Sequence, residues 1–125
     1  MTYKLLILLS MIFCHIVDDY YLQGWLASAK QKDWWKTNAS LPLYKFDYLM
    51  ALFMHSFSWT FGVMFVPTIC VIIFSGKWNL YLFICNLLIH MYVDNLKVNK
   101  KKINLIVDQV IHLAQIIFTW WSMLF

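Results

Sequence analysis

Apolar residues along this chain gather into four runs separated by stretches where polar and charged side chains dominate. A helix rises about 1.5 Å per residue, so about 20 apolar residues cross the hydrocarbon core of a bilayer. The runs predict spanning helices over residues 4–23, 48–74, 78–96 and 104–125. Their connections are unequal: residues 24–47 are long and polar, the second is a few residues around SGKWN, and the third reads KVNKKKIN. The pattern therefore predicts an all-α, antiparallel four-helix bundle forming a single transmembrane domain over residues 1–125.

Composition agrees, since the 125 residues are 62% hydrophobic and 13% charged, outside the range of soluble domains. No separate soluble domain is expected. Lys4 ahead of LLILLSMIFCHIV has the outline of a secretory leader, but no small-x-small cleavage site follows and the run continues into the acidic HIVDDYYLQ, so it is read as a span. Cys14, Cys70 and Cys85 lie in apolar runs without a C-x-x-C pair and read as packing residues.

The net charge of +4 comes from ten lysines, and attraction to anionic headgroups accounts for it without nucleic acid. Lys30, Lys32, Lys36 and Lys45 share one side of the membrane with Lys97, Lys100, Lys101 and Lys102, against Lys4 and Lys77 on the other. The positive-inside rule then puts the first and third connections in the cytoplasm and both termini outside, in a cell inner or plasma membrane. Trp25, Trp34, Trp35 and Tyr44 read as interfacial anchors, with WLASAKQKDWWK lying along the headgroups as a short helix.

The four histidines fall one to a span: His15, His55, His90 and His112. Three of them have an aspartate four residues away on the same helix face, in the pairs His15–Asp19, His90–Asp94 and Asp108–His112. Counted from the cytoplasmic ends, all four imidazoles reach about 11 Å of depth, with the three carboxylates one turn nearer the cytoplasm. An aspartate at mid-span costs roughly 2.5–3.5 kcal/mol, so the arrangement needs compensation. Lysines at the helix ends could pair with the aspartates, but none is expected to reach the histidine layer. A divalent cation would satisfy both layers. Nitrogen and carboxylate donors suit zinc first, then iron or manganese, as one or two ions held by His15, Asp19, His55, His90, Asp94, Asp108 and His112. The alternative is a metal-free hydrogen-bond network between helices. Gln23, Asn86, Gln109 and Gln115 flank the layers, either orienting ligands or bonding between helices, and Trp59 reads as packing.

The motifs HIVDDYYLQ (His15 to Gln23), His55 in MHSF, HMYVDNLK (His90 to Lys97) and DQVIH (Asp108 to His112) resemble a family of small phage and bacterial membrane proteins classed as a domain of unknown function. That pattern is similar, more loosely, to membrane-bound metal-dependent hydrolases with H-x-x-x-D motifs in their spans. The resemblance implies a four-helix membrane fold and raises hydrolysis as an activity. The chain departs from the pattern in its second acid, Asp18, which a regular helix turns about 100° away from Asp19.

The function expected is metal-dependent hydrolysis of a lipid-linked or amphipathic phosphoester-type substrate at the cytoplasmic leaflet. Asp19, Asp94 or Asp108 would serve as general base, and Lys97, Lys100 and Lys101 would hold an anionic headgroup. The other expectation is a non-enzymatic, metal-stapled module that binds a host partner, as in superinfection exclusion, or carries metal ions or protons. Access separates them: an enzyme needs an open path to its metal, and a staple is closed. Besides the bilayer and a lipid-linked substrate, further copies of the chain are candidate partners.

Overall fold

The computed structural model describes residues 2–74 and 78–125, which are all-helical with no strand among them. Lys77 and the heart of the second connection lie outside the described residues. α1 (Thr2–Val17) continues through a π-helical turn, Asp18–Leu22. The first connection contains α2 (Leu26–Ala29), α3 (Lys32–Asn38) and a 3-10 turn, Pro42–Tyr44, before the long helices α4 (Asp47–Ile73), α5 (Leu80–Val98) and α6 (Leu105–Leu124). No end of these long segments is displaced by more than two residues from the apolar runs.

The local stop and start signals are physical. Gly24 ends the first segment at φ +50, a left-handed position that costs glycine nothing. Asn79 accepts from the Tyr81 N–H at 2.9 Å, and Asn104 from the Val107 N–H at 3.0 Å, capping α5 and α6.

Among the described residues three segments are long and apolar enough to cross a membrane: Tyr3–Leu22, Pro42–Ile73 and Leu105–Leu124. Where four spans were expected, α5 does not qualify by composition, because its 19 residues include Asn86, His90, Asp94, Asn95 and Lys97.

α4 packs on α1 and α5, and α6 packs on α1, α4 and α5. Lys4 Nζ donates to the Leu124 carbonyl at 2.6 Å and Trp120 Nε1 to the Lys4 carbonyl at 2.7 Å, so α1 runs against α6. Near that end the interior is apolar, built from Ile7, Met11, Trp59, Val63 and Ile116. Toward the first connection it holds His15, Asp18, His55, His90, Asp94, Asp108 and His112, all buried. The outward face instead carries Leu6, Phe13, Phe61, Ile72, Leu88 and Phe118, all exposed. This inverts the distribution of a soluble protein. Burial of such a side chain is worth about 1.5–3 kcal/mol, so a face this apolar favours an apolar neighbour.

The first connection differs from the expected single surface helix. It breaks at Gln31, which is extended (φ −97, ψ 123), and α2 packs on α4 with Ala29 and Lys30 buried. Asn99 at the end of α5 grips the break from both sides: its Nδ2 donates to the Lys30 carbonyl at 3.0 Å and its Oδ1 accepts from the Lys32 N–H at 2.7 Å.

Candidate metal centre

Each long helix contributes one imidazole, and the rings form a continuous row. Centroids are 5.2 Å apart for His55–His90, 4.2 Å for His90–His112 and 5.7 Å for His112–His15. Trp59 closes the apolar side, stacked on His90 at 4.1 Å.

Carboxylates meet this row from the connection side. His55 Nε2 lies 3.4 Å from both Asp19 Oδ1 and Asp94 Oδ2, and 3.3 Å from His90 Nε2. His90 Nε2 lies 4.0 Å from Asp19 Oδ1 and from Asp94 Oδ1. His112 Nε2 is 3.6 Å from Asp94 Oδ1 and 3.4 Å from Asp108 Oδ1. Among the described residues two groups could hold a metal ion, Asp19–His55–His90 and His90–Asp94–His112, and they share His90. His15 and Asp108, also expected as ligands, lie outside both groups.

His15 is committed elsewhere. Its Nδ1 accepts from Trp59 Nε1–H at 2.8 Å, which leaves Nε2–H to donate to Gln109 Oε1 at 3.0 Å. Gln109 then donates to Asp108 Oδ2 at 3.0 Å. Trp59, read from the sequence as packing, thus also fixes an imidazole. His112 is oriented in the opposite sense. Gln115 spends its N–H groups on the carbonyl and Oδ1 of Asn86, at 3.2 and 3.3 Å, so Oε1 is left for His112 Nδ1–H at 3.1 Å. Asn86 is itself held to Thr119 Oγ1 at 2.8 Å. In the neutral ring, His112 Nε2 therefore points its lone pair at two carboxylates. Gln23 orients no ligand side chain; its amide donates to the Asp19 carbonyl at 2.5 Å.

Two residues of the site were misplaced by sequence reasoning. Asp18 does not turn away, because the π-helical turn widens the helix where the acids lie and lets Asp18 and Asp19 both face inward. Ser58 Oγ donates to Asp18 Oδ1 at 2.5 Å, and Asp18 Oδ2 lies 3.4 Å from His55 Nδ1. Lys30 is no solvated loop cation. Only 5% exposed, it donates to Asp94 Oδ2 at 2.6 Å, the same oxygen that faces His55, so a lysine pairs with an aspartate of the cluster from within the first connection. Lys97 points inward to Asp108 Oδ2 at 2.6 Å, while Lys100 and Lys101 are exposed.

The donor chemistry fits a cation. Bonds of about 2.0–2.1 Å in a tetrahedral shell put neighbouring donors about 3.3–3.4 Å apart. Three of the separations around His55 Nε2 have that length, and they exceed a good N–H···O distance. Asp18 Oδ2, Asp19 Oδ1, Asp108 Oδ1 and His112 Nε2 are buried without a hydrogen-bond partner. With neutral imidazoles, Asp18, Asp19, Asp94 and Asp108 against Lys30 and Lys97 leave two negative charges, the charge of one divalent ion.

The cluster is closed. The side chains of all four histidines, Asp18, Asp19, Asp94 and Asp108 are at most 7% exposed, and none lines the surface grooves at Lys32–Tyr48, Leu49–Asn95 or Phe61–Phe83. No family model, curated protein or solved structure matches the chain.

Proposed function

We propose that this chain is a membrane-embedded metal protein, an antiparallel four-helix bundle that holds a divalent transition-metal ion, zinc first, among the two triads Asp19–His55–His90 and His90–Asp94–His112. One observation carries the reading: two imidazole nitrogens face each other at 3.3 Å with the unpartnered, buried Asp19 Oδ1 beside them, 3.4 and 4.0 Å away. A hydrogen-bond network would leave that oxygen unpaired, at a cost of about 1–3 kcal/mol or more. An ion would use it.

In its closed form the centre acts as a staple across α1, α4, α5 and α6, with each helix's buried polar group offsetting another's. This is the non-enzymatic alternative of the sequence reading, and the burial of every donor supports it. The first connection lies on the cytoplasmic side in this reading, with both termini outside.

A second reading, hydrolysis of a lipid-linked phosphoester, is favoured by a separate observation. Asp18 and Asp108 exceed what one ion needs, and the Lys30 ammonium bonds Asp94 from the connection side. Withdrawal of α2 would admit a polar headgroup, and Asp108, outside both triads, would serve as the general base. A bound cation supplies an acidified water and a polarised ester oxygen. The resemblance of the H-x-x-x-D motifs to membrane-bound hydrolases agrees with this second reading.

Elemental analysis of the purified protein in detergent, beside His90→Ala, tests the centre. About one equivalent of metal in the wild type and its loss in the variant, whose group is common to both triads, is the expected result. Folded wild type without metal overturns the proposal. Metal-loaded protein that cleaves a phosphoester or lipid ester from a broad panel would promote the second reading over the first.

A further inference from the structure

The groove between α3, the 3-10 turn and the start of α4 has no part in the metal cluster. It encloses about 560 Å³ and is lined by Lys32, Lys36 and Lys45 together with Trp35, Tyr44 and Tyr48. We infer that it binds the phosphate headgroup of an anionic phospholipid. The inference rests on the membrane reading above, though not on the metal.

Charge is the first support. Three ammonium groups line the groove and, among the described residues, no carboxylate does; Asp33 beside it takes Lys36 at 2.9 Å, and Asp47 starts α4 between the lining residues Phe46 and Tyr48. Among the described residues neither Lys32 nor Lys45 has a carboxylate partner. Instead Lys32 Nζ sits 4.7 Å from the Tyr48 ring and Lys45 Nζ 5.3 Å from the Phe46 ring. An aromatic face attracts a cation without neutralising it, so both charges remain available to an anion.

Rigidity is the second. Trp35 stacks on Tyr44 at 6.2 Å and 21°, and its indole N–H donates to the Ala29 carbonyl at 2.6 Å. The walls are set before a ligand arrives, which lowers the ordering cost of binding.

Position is the third. Exposed Leu41, Leu43 and Phe46 adjoin the lysines, and exposed Met50 and Phe53 continue the apolar surface along α4. A cationic pocket that grades into an apolar helix face matches a headgroup with its acyl chains, whereas free phosphate would use only the cationic half. The site also differs from the one read from the sequence at Lys97, Lys100 and Lys101, where Lys97 is spent on Asp108.

Native mass spectrometry of the full chain in detergent, offered equal phosphatidylglycerol and phosphatidylcholine, tests this. Wild type is expected to retain phosphatidylglycerol preferentially, with retention falling about fivefold for each lysine removed in Lys32→Gln/Lys45→Gln. Lys100→Gln/Lys101→Gln is expected to keep the preference. Absence of any preference in wild type, or equal loss in both double variants, overturns the inference. Displacement by excess inorganic phosphate as readily as by phosphatidylglycerol would assign the groove to free phosphate instead. A photoreactive phosphatidylglycerol headgroup needs no variant. Cross-links within residues 32–48 support the site, and cross-links confined to residues 97–102 overturn it. Metal content of the same samples reports separately on the buried centre.

Discussion

Lys30 donates to Asp94 Oδ2 at 2.6 Å across 64 residues of sequence, and both side chains are almost wholly buried. The contact ties the first connection to α5 and puts an ammonium on one of the carboxylates assigned to the metal. Removing one partner of a buried pair leaves an uncompensated charge, at about 3–5 kcal/mol. Lys30→Met is therefore expected to lose about that much stability in chelator. Lys30→Met/Asp94→Asn should recover most of it while binding metal poorly. Thermal unfolding in detergent with and without chelator measures both, and additive losses in the double variant would contradict a direct pair.

His15 and His90 separate positioning from ligation. Both nitrogens of His15 are engaged by Trp59 and Gln109, whereas His90 belongs to both candidate triads. His15→Ala should retain metal at wild-type stoichiometry while losing about 1–3 kcal/mol, since the Trp59 N–H and Gln109 Oε1 are left unpaired. His90→Ala should lose the metal. Equal metal loss in the two would place His15 among the ligands.

Gln115 sets which nitrogen of His112 faces the carboxylates. Partners of this kind contribute about 10–100-fold to metal affinity. Gln115→Leu should weaken binding by about that range in a chelator-competition titration. Unchanged affinity would remove His112 from the centre.

Asp18 enters the site only through the π-helical turn, and its contacts are the Ser58 hydroxyl and the His55 ring. Asp18→Asn keeps an oxygen for Ser58 but removes a charge one imidazole away from the ion. An affinity loss of about tenfold is expected, with the unfolding temperature nearly unchanged. An unaltered affinity would make Asp18 a structural acid alone.

The orientation is open to labelling once the free thiols Cys14, Cys70 and Cys85 are replaced. Lys32→Cys should be protected from an impermeant maleimide in intact cells, and Tyr81→Cys, 78% exposed at the opposite end, should react. The reverse pattern would invert the protein in its membrane.

The sequence by itself determined the helices and much of what they carry. Runs of apolar residues set the four long segments, because a helix repeats locally every 3.6 residues and rises by a constant amount. The same constancy placed His90 beside Asp94 and Asp108 beside His112 on common faces and brought the histidines to one depth. Lateral relations needed the folded chain. Nothing local marks Lys30 as buried: it stands in a polar connection that Asn99, reaching from α5, and the packing of α2 on α4 hold inward. Nothing local distinguishes His15 from His90 either, since the choice between Trp59 and a ligand group is made by α4. Asp18 defeated the regular period because one turn of the helix is wider than the rest. Depth follows from counting residues along one helix, whereas which polar group satisfies which is decided between helices, where desolvation makes every unpaired atom costly.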